Sequence, residues 1–207
     1  MYCDDRLGER WFSHKPDDAD MRVPDDIKDS VCFLCVKTPT QTLYGGTAFV
    51  IQTTEEPASD LHWNYLVTAR HSVKIAYGLG DVYVRFNTKG GSPKLIKLAD
   101  QWVYPDSESS DVAVMPIQLT SDLQYIPIDK SICVTDAQIK QHNIGIGDDL
   151  LIVGLFTQRH GTQNNIPIVR SGIIASMPDE PLQDQESGLD YNAYLAEVRR
   201  ARKDAVV

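Results

Sequence analysis

Short runs of β-branched and aromatic residues, separated by turn residues, dominate the chain after its first 22 residues. The clearest run is DVYVRFN (81–87), in which apolar and polar side chains alternate as they do along a half-buried strand. Clear helical periodicity before residue 185 is limited to TDAQIKQH (135–142), where Thr135 or Asp136 would cap one or two turns. Closely spaced strands with little helix between them predict an all-β fold, an antiparallel sandwich or barrel.

Composition narrows the function classes. The chain has 207 residues, of which 42% are hydrophobic, and this suits one compact domain of two packed lobes. A net charge of -9 argues against a protein that binds nucleic acid through its phosphates, and the only basic cluster, RRARK (199–203), is expected to be a solvated tail. No apolar run is long enough for a membrane span, and no apolar signal segment opens the chain. These features predict a cytoplasmic protein with no nucleic-acid or membrane partner.

Four cysteines, at positions 3, 32, 35 and 133, are too few for a scaffold built on disulfides. Cys32 and Cys35 form a C-x-x-C pair inside SVCFLCVKT (30–38), a run that predicts a strand. A redox pair needs a helix N-terminus to lower a thiol pKa, and a zinc site needs a second pair of ligands. We therefore expect both cysteines to be buried and structural.

Three segments carry candidate chemistry. GGTAFVI (45–51) predicts a strand opened by glycines, and LVTARHSV (66–73) predicts a strand that ends in Thr-Ala-x-His. SSDVAVMPI (109–117) places Asp111 at the mouth of an apolar strand, forty residues after His71. On the residues alone, His71 is either a hydrogen-bonded core histidine or a general base.

These three segments, followed by IGDDLLIVGLF (146–156) and IVRSGIIAS (168–176), resemble the trypsin-like (chymotrypsin-fold) serine peptidase domain over roughly residues 24–199. The resemblance implies two antiparallel β-barrels, of which the second is incomplete. It divides the chain into four parts: an acidic N-terminal arm (1–22), a first barrel that carries His71 and Asp111 (23–130), a partial second barrel (131–199) and a basic tail (200–207).

In that family the histidine is the general base and the aspartate orients it, so the resemblance implies these roles for His71 and Asp111. Asp106 and Glu108, in the same loop, are alternative orienters. Arg70 is expected to point into solvent, because side chains alternate along a strand. The resemblance implies no cofactor and no metal, and the pair His62 and His71 does not match a metal-ligand spacing. The implied partner is a polypeptide substrate or another protein, and the sequence leaves the oligomeric state open.

The nucleophile is the missing part, because the sequence contains no Gly-x-Ser-Gly. Ser171 precedes a glycine within an apolar strand, where the resemblance assigns it to the barrel. Ser187 also precedes a glycine, but Glu186 would repel the negative charge that develops in acyl transfer and Gln185 would crowd the oxyanion turn.

The end of the sequence departs from the family pattern. LDYNAYLAEVR (189–199) resembles the strand that directly precedes the serine loop, and the charged RARKDAVV (200–207) stands where the nucleophile sequence would begin. From Asn192 the residues are helix formers, with Tyr191, Leu195 and Val198 at helical spacing, so the expectation is a chain cut short or read out of frame.

Three hypotheses follow for function. The chain is a serine peptidase domain that lacks its nucleophile and is inactive alone, a non-enzymatic β-barrel interaction module of protease ancestry, or a hydrolase that uses Ser187.

Overall fold

The computed structural model describes residues 27, 29–54, 62–156, 160–183 and 190–198, and these residues are mostly β-strand. The strands are β1 (Val31–Lys37), β2 (Thr42–Thr54), β3 (His62–Thr68), β4 (Asp81–Thr88), β5 (Lys94–Lys97), β6 (Ala113–Pro116), β7 (Leu123–Gln124), β8 (Ile128–Asp129), β9 (Asp149–Leu155), β10 (Pro167–Ser176), β11 (Leu182–Gln183), β12 (Asp190–Tyr191) and β13 (Leu195–Val198). The α-helices are α1 (Arg70–Leu79) and α2 (Asp136–Gln141), and a short 3-10 turn spans Lys130–Ile132. The predicted all-β, antiparallel fold class is confirmed.

The larger sheet has the strand order β5-β4-β1-β2-β3-β6, with each neighbouring pair antiparallel. The short β7 pairs with β4, and β8 pairs with β2 in parallel. After β5 the chain crosses to the opposite edge, where Val103 forms an isolated bridge with Val114 of β6. The sheet therefore curls back on itself, although no continuous ladder closes it among the described residues.

The second strand runs further than the glycine-opened segment that the sequence predicts. β2 begins at Thr42, and its glycines lie inside it. Leu34 pairs with Gly46 while the next residue of β1 pairs with Tyr44, so Gly45 is the extra residue of a bulge. Glycine suits a bulge because the strand must bend there without a side chain to accommodate.

The hydrophobic core lies against this larger sheet. β1 is buried along six of its seven residues, and the side chains of β1 to β4 and the inner face of α1 fill one continuous cluster. Its largest fully buried members are Leu34, Val50, Leu66, Val73, Val82 and Val84.

The segment around His71 corrects the sequence prediction. LVTARHSV was expected to be a strand through residue 73, but β3 ends at Thr68 and α1 begins at Arg70. Val73 and Ala76, three residues apart, are the buried residues of α1, which is the spacing of a helix face. The helix ends at Gly80, whose φ of 156° and close approach to Lys37 favour glycine.

A three-stranded antiparallel sheet, called the smaller sheet below, has the order β13-β10-β9, and β11 and β12 pair as a separate two-stranded sheet. The prediction of a helical tail is wrong for Leu195–Val198, which pair with β10 as a strand. The two backbones lie close together at Gly172. A Cβ there would lie 2.3 Å from the carbonyl oxygen of Glu197, so this pairing requires glycine at that position.

Two smaller predictions are confirmed. Helix α2 follows Thr135, whose hydroxyl accepts from the Gln138 N–H while the Gln138 side chain accepts from Thr135, so the pair forms a capping box. Cys32 and Cys35 are both buried in β1. Burial raises the pKa of the Cys35 thiol to about 12 and raises that of Cys32 as well, so neither thiol is a reactive thiolate near neutral pH.

The N-terminal arm (1–22), Ser187 and the basic tail (200–207) lie outside the described residues.

Candidate functional site

The start of α1 places His71 directly against Asp111, which approaches from the loop before β6. The imidazole Nδ1 lies 2.5 Å from Asp111 Oδ2. The side chain of His71 is 63% exposed, whereas that of Asp111 is 32% exposed. The structure therefore brings the two predicted site residues together, with the carboxylate on the inner side and the imidazole at the surface.

Asp111 also caps the helix that carries His71. The residue before α1 is Ala69, which has no side chain that can cap, so the first backbone N–H groups need other acceptors. The Arg70 N–H donates to the Asp111 carbonyl oxygen at 3.3 Å, and the His71 N–H donates to Asp111 Oδ1 at 2.9 Å. A carboxylate at a helix N-terminus is also favoured by the helix dipole. One aspartate thus fixes both the backbone and the ring of His71.

The other ring nitrogen of His71 faces a hydroxyl. Ser72 Oγ lies 3.2 Å from His71 Nε2. An ionised carboxylate only accepts hydrogen bonds, so contact with Asp111 assigns the proton to Nδ1 and leaves Nε2 as an acceptor for the Ser72 hydroxyl. Hydroxyl, imidazole and carboxylate therefore form a continuous hydrogen-bonded row. Ser72 was not among the site residues predicted from the sequence, and a helix beginning at Arg70 is the signal that would have placed it in the first turn.

The alternative orienters do not reach the imidazole. Glu108 lies 3.8 Å from the Arg70 guanidinium instead, and Asp106 is exposed. Arg70 does not point into solvent as expected, since its side chain is 17% exposed and its guanidinium lies 5.2 Å from the centre of the Tyr104 ring. The expectation failed because Arg70 opens a helix and does not continue a strand. Its contacts hold the loop that leads to Asp111.

The other candidates lie elsewhere. Ser171 is in the middle of β10, paired with Leu151 of β9, as the barrel assignment expected. His62 is at the beginning of β3, paired with Thr54, whereas His71 follows the other end of that strand. In the part of the chain that the structure describes, no group of three or more histidine, cysteine or acidic side chains is arranged to hold a metal ion.

Comparison with known proteins gives matches among solved structures only. No model of a known protein family matches the sequence, and no curated protein matches it. The HtrA-type protease AlgW, solved with a decapeptide, is similar with a TM-score of 0.45 and 18% identity over 83% of this chain and 49% of that chain. The Drosophila Grass clip serine protease of the Toll pathway is similar with a TM-score of 0.45 and 11% identity over 84% and 58% of the respective chains.

The chain thus spans about half of the AlgW structure and somewhat more of the Grass structure. Neither helix in the described ranges has the length and apolar character needed to cross a membrane.

Proposed function

We propose that this chain supplies the general base and its orienting carboxylate for a trypsin-like serine peptidase centre, and that by itself it does not hydrolyse peptide bonds. The observation that carries the proposal is the contact between His71 Nδ1 and Asp111 Oδ2, at 2.5 Å. A core histidine would be buried, but this imidazole is 63% exposed and directs Nε2 away from the carboxylate. That orientation is the one a base needs to accept the proton of an attacking hydroxyl.

The chemistry requires both residues in these positions. A serine hydroxyl attacks an amide carbonyl only if a neighbouring base accepts its proton, and the lone pair of His71 Nε2, which the Ser72 hydroxyl contacts at 3.2 Å in this structure, is the acceptor. The positive imidazolium that results is stabilised by the negative charge of Asp111, which also keeps the ring in the productive tautomer. The capping bond from the His71 N–H to the same carboxylate prevents the ring and its partner from separating. The reaction class is acyl transfer from a polypeptide amide.

The proposal of inactivity rests on the nucleophile. The sequence has no Gly-x-Ser-Gly, the motif whose backbone N–H groups would stabilise the tetrahedral oxyanion. Ser171 is held in the β9–β10 ladder and contacts no described part of the His71 side chain. A peptide amide has a poor leaving group and needs both an activated hydroxyl and an oxyanion hole, so we expect no turnover of peptides by this chain.

An extension experiment tests the proposal. Residues 200–207 are replaced by a segment that carries Gly-x-Ser-Gly and the strands that complete a second barrel, and hydrolysis of a fluorogenic peptide is measured. We expect activity to appear, and substitution of the added serine by alanine to remove it. His71→Ala should lower the rate by about 10²- to 10⁴-fold, the usual contribution of a general base.

The matched variants separate chemistry from folding. Asp111→Asn retains an oxygen that can accept from the His71 N–H, so it tests the charge without removing the helix cap. Lys97→Ala, on the far edge of the sheet, breaks only an exposed ion pair with Asp81 and should leave the rate unchanged. A folded extended chain with no His71-dependent hydrolysis would contradict the proposal.

A second candidate function, a non-enzymatic interaction module, is favoured by one observation. The smaller sheet exposes apolar side chains along β9 and β10, with Leu151 54% and Val169 37% exposed. Exposed apolar strands often mark a protein-binding surface. This function predicts that the extended, folded chain stays inactive while Leu151→Lys abolishes binding to a protein partner.

A further inference from the structure

Ser72 occupies the position that a nucleophile would take relative to His71. Its Oγ lies 3.2 Å from Nε2, and the opposite ring nitrogen contacts Asp111 at 2.5 Å. The Oγ–Nε2 distance is at the upper limit of the range over which a base acts on a hydroxyl, and the carboxylate is close enough to Nδ1 to orient the ring. Ser72 is the residue after His71 in the chain, so the first turn of α1 supplies both members of the pair.

The space next to the hydroxyl is left open by a glycine. Gly46 of β2 lies beside Ser72, and a Cβ on Gly46 would stand 3.4 Å from Ser72 Oγ. The exposed imidazole opens the same place to solvent, so a small electrophile can approach without a preformed cleft.

The available oxyanion stabilisation sets the substrate class. The Ser72 N–H lies in the first turn of α1 and has no backbone acceptor in the described residues. It is one donor at the positive end of a helix, where a full oxyanion hole uses at least two. One donor is too little help for an amide, but electrophiles with good leaving groups need less. The geometry therefore points to activated aryl esters and fluorophosphonates.

We propose that Ser72 is a nucleophile, activated by His71 and Asp111, which reacts with small activated acyl and phosphonyl donors. With an aryl ester, Oγ bonds to the carbonyl carbon, its proton passes to His71 Nε2, and the aryl alcohol leaves with that proton. Water then cleaves the acyl-serine and restores the hydroxyl. With a fluorophosphonate the Oγ–P bond forms, the P–F bond breaks, fluoride leaves and the proton passes through Nε2 to solvent. This inference rests on the proposed base and orienter roles of His71 and Asp111.

The test is labelling of the full chain with a fluorophosphonate probe, followed by intact mass and peptide mapping. We expect one adduct per chain, on Ser72. Ser72→Ala should remove it, His71→Ala should slow labelling by at least about 10²-fold, and Asp111→Asn should slow it by at least about tenfold. Ser121→Ala, an exposed serine remote in sequence from α1, is the matched control and should label as the unmodified chain does. Amide NMR spectra establish that each variant is folded.

Every other outcome overturns the inference. An adduct on Ser187, on another serine or on His71 itself assigns the reactivity elsewhere, and the absence of an adduct in a folded chain removes it. These failures are distinguishable from failure of the proposed function. If Ser72 is unlabelled but the extended chain hydrolyses peptide in a His71-dependent way, only the Ser72 inference fails. If Ser72 is labelled with His71 dependence but the folded extended chain is inert, the peptidase proposal fails.

Discussion

The larger sheet and the smaller, three-stranded sheet differ in what their strands bury. In the larger sheet, β1 is buried along six of its seven residues, whereas β9 in the smaller sheet has no buried residue. Every buried hydrophobic side chain in the described part of the chain lies at or before Leu123. The larger sheet therefore has a core of its own, and the smaller sheet depends on contacts with the larger one.

One set of polar contacts to the loop between β9 and β10 converges on a single side chain. Arg85 of β4 is 4% exposed, and its guanidinium donates to the carbonyl oxygens of His160, Gly161 and Thr162 and to the side-chain oxygen of Asn165. The backbone there requires glycine at Gly161, where φ is 75° and a Cβ would collide with the carbonyl oxygen of Asn164. The planar guanidinium of an arginine can donate to several acceptors at once, so this one side chain fixes the loop of residues 160–165.

A second link lies at the bulge of β2. Tyr44 stacks on His160 with ring centres 4.0 Å apart, and the Leu155 N–H donates to the Thr47 hydroxyl at 3.0 Å. The residues that face the smaller sheet and its loops thus belong to β1, β2 and β4, while His71 lies in α1 and Asp111 lies just before β6. The base and its carboxylate are therefore assembled by the larger sheet and its helix.

The largest expected effect is on the free energy of unfolding, and one matched pair of substitutions compares the two sheets. Leu66→Ala removes a side chain that is fully buried in the core and should lower the free energy of unfolding by about 2 to 5 kcal/mol. Leu151→Ala makes the same chemical change on β9, where the side chain is 54% exposed, and should cost within about 0.5 kcal/mol.

Urea denaturation of both variants measures these costs. The extrapolated free energy gives the stability, and an unchanged m-value shows that the denatured state is comparable. Equal costs at the two positions would show that the smaller sheet buries a core of its own, and would contradict the difference in burial between the two sheets.

The next effect tests the link between the sheets. Arg85→Met retains much of the buried volume but removes the guanidinium, so the acceptors of the 160–165 loop lose their donors, at a cost of about 2 kcal/mol. Hydrogen exchange should then accelerate at Asn165, whose N–H donates to Asn87 Oδ1, more than at Leu34 in β1. The same acceleration at both sites would contradict a local role. Lys94→Ala, which breaks an exposed pair with Asp122, is the control.

Much of the larger sheet could be predicted from sequence because its strands carry their own signals. Alternation in DVYVRFN and the dense apolar run of β1 mark strands that are covered on one face or on both. The pairing of β1 with β4 could not be predicted in the same way, because two other strands and a helix separate them in the sequence. The bulge at Gly45 is likewise a property of two strands and is not visible in one.

The two residues of the site could be predicted from the sequence, but the helix that carries His71 could not. The sequence segments around His71 and Asp111 indicated that the two residues act as a pair, and the structure places them in contact. The helix that begins at Arg70 was missed because Val73 and Ile75, both β-branched, follow a strongly apolar strand and extend its pattern. Helix formation there depends on Asp111, which supplies the cap from forty residues away, and a local pattern does not contain that acceptor.

The smallest effect concerns the connection between the two sheets, where Asp129 ends β8 and caps the 3-10 turn Lys130–Ile132. Its Oδ1 accepts from the Ser131 N–H at 2.7 Å, and the hydrogen bonds from Ser131 lower the pKa of the Asp129 carboxyl below its ordinary value. A lowered folded-state pKa means that the contribution is present above the unfolded value of about 3.9 and is lost as pH falls through the folded pKa.

Asp129→Ala should therefore cost about 0.5 kcal/mol at pH 7, the low end for a lost cap because the carboxyl is exposed. The difference from the unmodified chain should shrink as the pH falls below about 4, because protonation removes the same interaction from the unmodified protein. Asp129→Asn keeps an oxygen acceptor without a titrating charge, so its stability at pH 7 should stay within a few tenths of a kcal/mol and show less acid dependence. Urea titrations at several pH values measure all three proteins. A cost as large as that of Leu66→Ala would mean that the connection, and not the core of the larger sheet, governs unfolding.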